Sequence, residues 1–292
     1  MITEIYMSKE IKTQHYLPFV YLNQFRSDIA IKERGKSTFY FDNGEIFKMV
    51  PVDTQGAKRW FYRKENTKES EESFQKYELD WNTVIENQRR AKYEDFLAFL
   101  QILMYHFRNT SVQMMDSKFP RFESIQNAVY DFTIQKILKL NPDQSIFENP
   151  SYVHNFNWEC RIVNFSGFKL ITSDNPSILT VTQDHNGYGP FFIPVSSCEL
   201  LVAIDKTKYK FNSYKGTDNY SYISNGYVGC QSNSMIFYAR PFSEEMRNNL
   251  WKLIKEQRFP TKCRGRFEKE RFIPTHPYYN KKFSFLDELH KK

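Results

Sequence analysis

The stretch TSDNP, residues 172–176, carries the acidic residue whose setting in the sequence best suits chemistry. It lies between the apolar runs FKLI and SILTV, so Asp174 is expected at the end of a strand, exposed at the rim of a sheet. A carboxylate in that position can hold a metal ion or take a proton from a substrate. Asp-Asn-Pro is also a strong turn former, in which Asp174 would bond to its own backbone. The sequence leaves both interpretations open.

A histidine, His15, stands directly in front of an apolar and aromatic segment near the N-terminus. It is either a core residue with a satisfied ring or a general acid or base. A short helix is expected over residues 18–25, because Tyr21, Leu22 and Phe25 then share one apolar face. That face would anchor the segment to the core and hold His15 rigidly beside it.

Four more polar residues are candidates for the same chemistry. Glu78 lies near the edge of the buried face of a helical pattern, where it faces either solvent or a cleft. Arg108 is expected to end the most hydrophobic helix, where a cation complements the helix dipole or clamps a phosphate. Asn233 begins the strand-like run SNSMIFYARPF and can cap a turn or ligate a metal, and Arg240 near its end is a second phosphate-binding candidate.

Common signatures of other sites are missing from the sequence. There is no Walker loop, GxGxxG, HExxH, GxSxG or protein-kinase set. The four cysteines have no spacing typical of a zinc site, which favours free thiols in a reducing cytosol. No apolar region typical of a signal peptide is present, and the most apolar run, residues 96–107, is too short to span a bilayer. We therefore expect a soluble, cytoplasmic protein without membrane contact.

Charge and composition are compatible with a nucleic-acid partner. The formal net charge is +7, from 41 Lys and Arg against 34 Asp and Glu. Aromatic residues make up 17% of the chain, and some of them could stack on bases, although core packing is the default for each. These features permit nucleic-acid binding without requiring it.

The elements that must position the candidates follow an order typical of an α+β protein. Strand-like runs up to residue 63 predict a small N-terminal β element, with Asp42-Asn43-Gly44 as a turn. Helical patterns from 74 to 140 predict a central helical layer. Strand-like runs from 168 to 240 predict a largely antiparallel C-terminal sheet.

The second half also holds two segments of a different kind. Residues 205–228 are polar and Tyr-rich, which suggests a long loop or short helices, and residues 242–259 predict a helix with Ser243 as its N-cap. We see no linker, so we expect one domain over residues 1–292, with a mostly helical lobe over 1–150 and a mostly β lobe over 151–292.

Several short motifs of the chain occur in a set and order that resemble one known family. They are an H-Y-x-P stretch with a following Y-L and Phe (His15 to Phe25), a helical glutamate (Glu78), an arginine ending a hydrophobic helix (Arg108), T-S-D-x-P (Thr172 to Pro176), a Pro-Val-Ser stretch (Pro194 to Ser196), and an asparagine ahead of Ala-x-Arg (Asn233 to Arg240). Together they resemble the family called Domain of Unknown Function 4238. The resemblance supplies no reaction, but it implies that His15, Glu78, Asp174 and Asn233 belong to one recurring set.

The hypothesis that best joins these residues is a metal-assisted phosphodiesterase, most simply a nuclease acting on RNA or DNA. Asp174, with Glu78 or Asn233, would hold a divalent ion such as Mg²⁺ or Mn²⁺, and His15 would transfer a proton. Arg108 or Arg240 would neutralise phosphate charge.

Such an enzyme would suit a bacterial toxin or an antiphage defence effector. One alternative is a nucleic-acid or partner-binding module without catalysis. Another is a different hydrolase, for which no Ser or Cys stands out as the nucleophile.

Overall fold

The structure is a computed structural model, and it has the α+β architecture that the sequence predicts. It describes residues 13–15, 17–27, 37–59, 72, 81–90, 94–113, 129, 133, 156–167, 169–181, 188–211, 213–232, 235–255, 264–268, 271–276 and 289–291.

Helices and strands alternate in groups along the chain. The helices are α1 (Phe19–Leu22), α2 (81–89), α3 (Asp95–Gln113), α4 (Asp218–Gln231) and α5 (Glu244–Lys255). The strands are β1 (Thr13–His15), β2 (Thr38–Asp42), β3 (Phe47–Pro51), β4 (Ala57–Arg59), β5 (Trp158–Asn164), β6 (Thr172–Ser173), β7 (Ile178–Val181), β8 (Tyr188–Ser196), β9 (Glu199–Asp205), β10 (Tyr209–Phe211), β11 (Ile236–Tyr238), β12 (Arg264–Glu268), β13 (Arg271–His276) and β14 (Leu289–Lys291).

The first four-stranded sheet combines strands from both halves of the chain, in the order β3-β2-β11-β6. Its N-terminal part is the predicted hairpin, and the turn at Asp42–Gly44 is confirmed, with Gly44 at a φ of 86° and its amide donating to Asp42 Oδ1 at 2.9 Å. β11 pairs antiparallel with β2 on one side and with β6 on the other. The N-terminal β element therefore belongs to the same sheet as the TSDNP stretch.

The second four-stranded sheet is antiparallel, in the order β5-β9-β8-β7. Nearly every residue of β8 and β9 is buried, on both faces of the strands. Apolar β-branched and aromatic residues such as Phe191, Phe192 and Val202 fit such a strand, which has core on both sides. The predicted antiparallel sheet of the second half is therefore confirmed in part: β7, β8 and β9 come from the predicted runs, whereas β6 and β11 pair in the first sheet and β5 precedes the predicted range.

Helix α3 lies at the centre of the main hydrophobic core, as its apolar circumference predicts. The ring of Phe99 packs on Trp158 and Phe191, at centroid distances of 4.9 and 5.7 Å, and so joins α3 to the second sheet. On another side of α3, Tyr105 contacts Trp81 of α2 with ring centroids 4.5 Å apart. The helical layer is thus held to the sheets by aromatic packing.

The Tyr-rich segment after β9 differs from its prediction, because it contains the 14-residue helix α4. Thr217 caps this helix by accepting a hydrogen bond from the Tyr220 amide at 3.0 Å. Two tyrosines of this segment pack inward: Tyr220 and Tyr227 are buried in a second apolar cluster, whereas Tyr214 and Tyr222 are exposed. Helix α5 is confirmed with its cap, since the Met246 amide donates to Ser243 Oγ at 3.2 Å.

Some predictions fall wholly or mostly outside the described residues. The third helical run, 122–140, is described only at Val129 and Thr133, and the division into two lobes stays a prediction. In the part of the chain that the structure describes, no helix has the length and apolarity to cross a membrane.

Candidate functional site

Three segments that are distant in sequence meet at the hydroxyl of Tyr21. This oxygen lies 2.7 Å from Thr172 Oγ1 and donates to the carbonyl oxygen of Pro194 at 2.9 Å. A phenol has one hydrogen, and a carbonyl can only accept, so Thr172 is the donor in the other bond. The helix after His15, the TSDNP stretch and the Pro-Val-Ser stretch are therefore joined by one buried pair of hydrogen bonds.

The packing of α1 explains how Tyr21 reaches this position. Tyr21, Leu22 and Phe25 are all completely buried, which confirms the predicted anchor face. The ring of Tyr21 contacts those of Trp81 and Tyr105 at centroid distances of 5.7 and 5.2 Å. Burial raises the pKa of Tyr21 far above its usual value, so the hydroxyl stays protonated at all physiological pH values.

The TSDNP stretch forms a tight, buried turn between β6 and β7. The Asn175 amide donates to Ser173 Oγ at 3.1 Å, and the Asp174 amide donates to the Met235 carbonyl at 3.2 Å. A turn is present here, as predicted, and the hydroxyl of Ser173 accepts a hydrogen bond within it, whereas the bond of the Asp174 side chain to its own backbone stays a prediction. The bond to Met235 fixes Asp174 beside the segment that leads into β11.

Asp174 lies at the end of a strand, as predicted, but the prediction that it is exposed at a sheet rim was wrong. Only 3% of the residue is exposed, because α3 packs against the residues that follow it. Ser177 Oγ donates to the Ile102 carbonyl at 2.7 Å, which ties the turn to α3. An enclosed carboxylate loses hydration and interacts more strongly with neighbouring groups than an exposed one does.

His106 is a residue of this region that sequence reasoning missed. It is completely buried in α3, and its Nδ1 lies 3.1 Å from the carbonyl oxygen of Ser177, which makes Nδ1 the protonated nitrogen. Burial lowers its pKa to about 4, so the ring is neutral at pH 7. The signal was present in the sequence, because the helix that carries His106 is apolar over more than half of its circumference, and a histidine on such a face is expected to be buried and hydrogen-bonded.

Arg108 also belongs to the enclosed part of α3. Only 3% of it is exposed. The prediction that it ends the helix was wrong, since α3 continues to Gln113 and the helix-dipole explanation for a terminal cation does not apply. Arg108 comes three residues after Tyr105 and so shares the helix face that contacts Tyr21 and Trp81.

The remaining predicted residues are placed only in part. The backbone of His15 lies in β1, paired with Ala57 of β4, and its side chain is outside the described residues. Glu78 and Asn233 also lie outside them. Arg240 follows β11 and is exposed, so it is not enclosed with Asp174 and Arg108.

The described residues alone do not supply enough ligands for a divalent ion. Among the described residues there is no group of three His, Cys, Asp or Glu side chains that could hold a metal. Asp174 offers one carboxylate, and Mg²⁺ or Mn²⁺ needs more oxygen ligands than that from protein and water. The other predicted ligands, Glu78 and Asn233, lie outside the described residues, so the metal site stays a prediction.

Comparison with known proteins gives one match. A family model described as "Protein of unknown function (DUF4238)" matches residues 13–242, more than half of the chain. The chain belongs to the DUF4238 family. The matched region contains Tyr21, Arg108, Thr172, Asp174 and Pro194, and α5 lies outside it. No curated protein and no solved structure matches the chain.

The buried histidine of this DUF4238 protein predicts a loss of stability in mild acid. In the unfolded chain a histidine titrates near pH 6.5, whereas the pKa of His106 in the fold is about 4. Below pH 6.5 the unfolded state therefore binds a proton that the folded state does not bind. The free energy of unfolding falls by about 3 kcal/mol by pH 4.

Urea unfolding at pH 7.5, 6 and 4.5 measures this effect. The His106→Gln variant is expected to show a smaller fall in unfolding free energy across the same range. Parallel pH profiles for the two proteins would contradict a neutral, buried His106.

Proposed function

We propose that the buried polar cluster around Asp174 is the active site of a hydrolase that cleaves phosphodiester bonds in RNA or DNA. The proposal rests on the burial of two groups of opposite formal charge, Asp174 and Arg108, each 3% exposed. Asp174 follows Thr172, which bonds to the Tyr21 hydroxyl, and Arg108 lies one helical turn after Tyr105, whose ring contacts that of Tyr21. Removing such groups from water is costly, and a core gains little from it in stability. Ionisable groups held in this way are typical of functional sites.

The side chains of the cluster suit distinct roles in the reaction. The carboxylate of Asp174 would orient an attacking water or accept its proton. The guanidinium of Arg108 would neutralise the charge that develops on the phosphate, since its planar fork matches two phosphate oxygens. His15, whose side chain is outside the described residues, would protonate the leaving oxygen.

A divalent ion would complete this chemistry. We propose that Asp174 ligates it together with Glu78 and Asn233, all three of which carry the oxygen donors that Mg²⁺ and Mn²⁺ prefer. When bound, such an ion supplies charge neutralisation and a more acidic water. Arg240 is exposed and would contact the polynucleotide outside the enclosed cluster.

Other residues of the cluster hold the reacting groups in place. Tyr21 and Thr172 fix the start of the TSDNP turn, and Ser177 ties its end to α3. His106 is neutral near pH 7 and bonds to the Ser177 carbonyl, so its role is to position the turn rather than to transfer protons. A rigid turn of this kind keeps the Asp174 carboxylate in one orientation.

The enclosure of the cluster sets a condition on the substrate. Asp174 and Arg108 are each 3% exposed, so the residues that cover them would have to move aside before any phosphate could reach them. An unpaired strand needs a smaller opening than a duplex does. We therefore propose single-stranded RNA or DNA as the substrate and the cytoplasm as the place of action. The net charge of +7 favours a polyanionic partner.

The proposal is tested with single-stranded and double-stranded RNA and DNA, labelled at one end and incubated with the protein. We expect cleavage of a single-stranded substrate with Mg²⁺ or Mn²⁺, and loss of cleavage when a chelator is added. Cleavage that survives the chelator would contradict the metal-assisted reaction. Tight binding without cleavage under every condition would instead favour the non-catalytic binding module.

A further inference from the structure

A groove of about 350 Å³ lies between the N-terminal halves of α4 and α5. The helices are in close contact further along, where a Cβ added to Gly229 would lie 2.9 Å from Ile254 Cδ1 and 3.3 Å from Leu250 Cδ1. Small-molecule sites in proteins hold roughly 300–1,000 Å³. The groove is therefore large enough for one small planar ligand, and it does not include Asp174 or Arg108.

The walls of the groove expose two large apolar side chains. Tyr222 of α4 is 46% exposed and Met246 of α5 is 52% exposed, and both line the groove together with Phe242. Single exposed apolar residues are common, but Tyr222 and Met246 stand on two helices that line one groove, so a ligand in the groove can contact both. A tyrosine ring and a thioether both make favourable contacts with the face of an aromatic ligand.

One edge of the groove carries a donor and an acceptor side by side. Lys169 Nζ lies 2.8 Å from Asp218 Oδ1, and the two side chains are 40% and 89% exposed. The side chain of Asn225 holds Lys169 at this edge. Its Nδ2 donates to the Lys169 carbonyl oxygen at 2.7 Å, and its Oδ1 accepts from the backbone N–H of Ile171 at 3.0 Å. Because an ion pair this exposed contributes little to stability, a ligand can share its charges at small cost.

We propose that this groove binds a guanine base. The base has flat apolar faces, and one edge presents an acceptor, O6, next to two donors, N1–H and N2–H₂. The Lys169 ammonium would donate to O6, and the Asp218 carboxylate would accept from both donors. Tyr222 and Met246 would contact the faces of the ring.

Two features restrict the ligand further. Adenine presents a single exocyclic donor at the matching edge and leaves part of the carboxylate without a partner, so it binds more weakly. Glu244 and Glu245 stand exposed in the first turn of α5, close to the groove, where they disfavour a phosphate group. A guanine nucleoside therefore fits better than a guanine nucleotide or a guanine within a strand.

Calorimetric titration of the full chain with guanosine, adenosine and cytidine tests the assignment. We expect guanosine to bind at least tenfold more tightly than either of the others. Asp218→Asn, which replaces one acceptor oxygen by a donor, should weaken guanosine binding at least tenfold. Tyr222→Ala should weaken it at least fivefold.

The chain provides controls for both the groove and the proposed active site. Tyr214→Ala removes a tyrosine of similar exposure, 49%, that does not line the groove, and should leave the affinity unchanged. Asp174→Asn should also bind guanosine as the wild type does, so failure of the proposed hydrolase and failure of this site are separable. Absent guanosine binding, equal affinity for the three nucleosides, or an unchanged affinity in Asp218→Asn would overturn the assignment.

Discussion

Replacing Asp42 by alanine is expected to destabilise the fold by about 3–5 kcal/mol, the cost of breaking a buried charged pair by removing one partner. Asp42 is completely buried at the end of β2. Its Oδ2 accepts hydrogen bonds from Arg247 Nε at 2.7 Å and from the Tyr238 hydroxyl at 3.1 Å, and its Oδ1 accepts one from the Gly44 amide at 2.9 Å. One carboxylate thus joins the N-terminal hairpin to β11 and α5.

Removing the Asp42 carboxylate would also leave neighbouring polar groups without a partner. The guanidinium of Arg247, whose side chain is only 19% exposed, lies 3.8 Å from the ring centroid of Phe47 and would keep its charge without the carboxylate. The Tyr238 hydroxyl would be left in the core without this acceptor. An unsatisfied buried donor adds to the cost of the lost bonds.

The effect of the substitution should depend on pH in a defined direction. Burial raises the pKa of Asp42, but the hydrogen bonds from Arg247 and Gly44 outweigh it, so the pKa lies below its usual value. The stabilisation is therefore fully present above the ordinary aspartate pKa, near 3.9, and disappears as the pH falls through the lower value in the fold.

Urea unfolding of wild type and Asp42→Ala at pH 7 and at pH 3 measures both claims. Asp205→Ala is the matched control, because that carboxylate caps a surface turn by accepting from the amide and hydroxyl of Thr207. The control should cost about 1 kcal/mol, the usual net loss for hydrogen bonds within one turn. A cost below 1 kcal/mol for Asp42→Ala, or a cost that grows at pH 3, would refute the role of this carboxylate.

The local parts of the fold could be predicted from sequence. The anchor face of α1, with Tyr21, Leu22 and Phe25, follows from spacings of three and four residues, and the cap of α5 follows from Ser243. The turn after β2 follows from its Asp-Asn-Gly sequence. Each of these features depends on residues that are close together in the chain.

The long-range parts could not be predicted in this way. Tyr21 meets partners 151 and 173 residues away, and no local pattern specifies such a contact. Asp42 joins the N-terminal hairpin to α5 through Arg247, 205 residues away. From the sequence, only the turn at Asp42–Gly44 could be predicted. Sequence alone joined the distant segments only through the family resemblance.

Burial caused the clearest errors at the candidate site. Asp174 was expected to be exposed because a turn usually lies at the surface, but α3 covers the residues after it. The Tyr-rich segment was interpreted as a polar loop or short helices, although Tyr220 and Tyr227 of α4 pack into the second apolar cluster. Arg108 was placed at the end of the most hydrophobic helix, but α3 continues to Gln113 and Arg108 is buried within it.

The substitution Asp174→Asn is expected to lower the cleavage rate of single-stranded nucleic acid by about 10²- to 10⁴-fold, the range that a general acid or base supplies. Asparagine keeps the size of the side chain and loses the charge and the basic oxygen. The turn should persist, since its backbone is held by Ser173 Oγ and the Met235 carbonyl. The lower cleavage rate would therefore reflect the missing carboxylate rather than an unfolded protein.

Binding should survive this substitution. The phosphate contacts proposed for Arg108 and Arg240 do not involve the Asp174 carboxylate, so affinity for a single strand should change less than about threefold. Far-ultraviolet circular dichroism and urea unfolding would confirm that Asp174→Asn is folded. Asp205→Asn, with its carboxylate in a surface turn, is the control for removing an acid elsewhere.

The most direct test of the account is the single-turnover cleavage rate of one end-labelled single strand, measured for wild type, Asp174→Asn and Asp205→Asn with Mn²⁺ in excess. We expect wild type and Asp205→Asn to cleave the strand at similar rates, and folded Asp174→Asn to cleave it at least 10²-fold more slowly. Equal rates for wild type and Asp174→Asn, or no cleavage by wild type with any strand or ion, would contradict it.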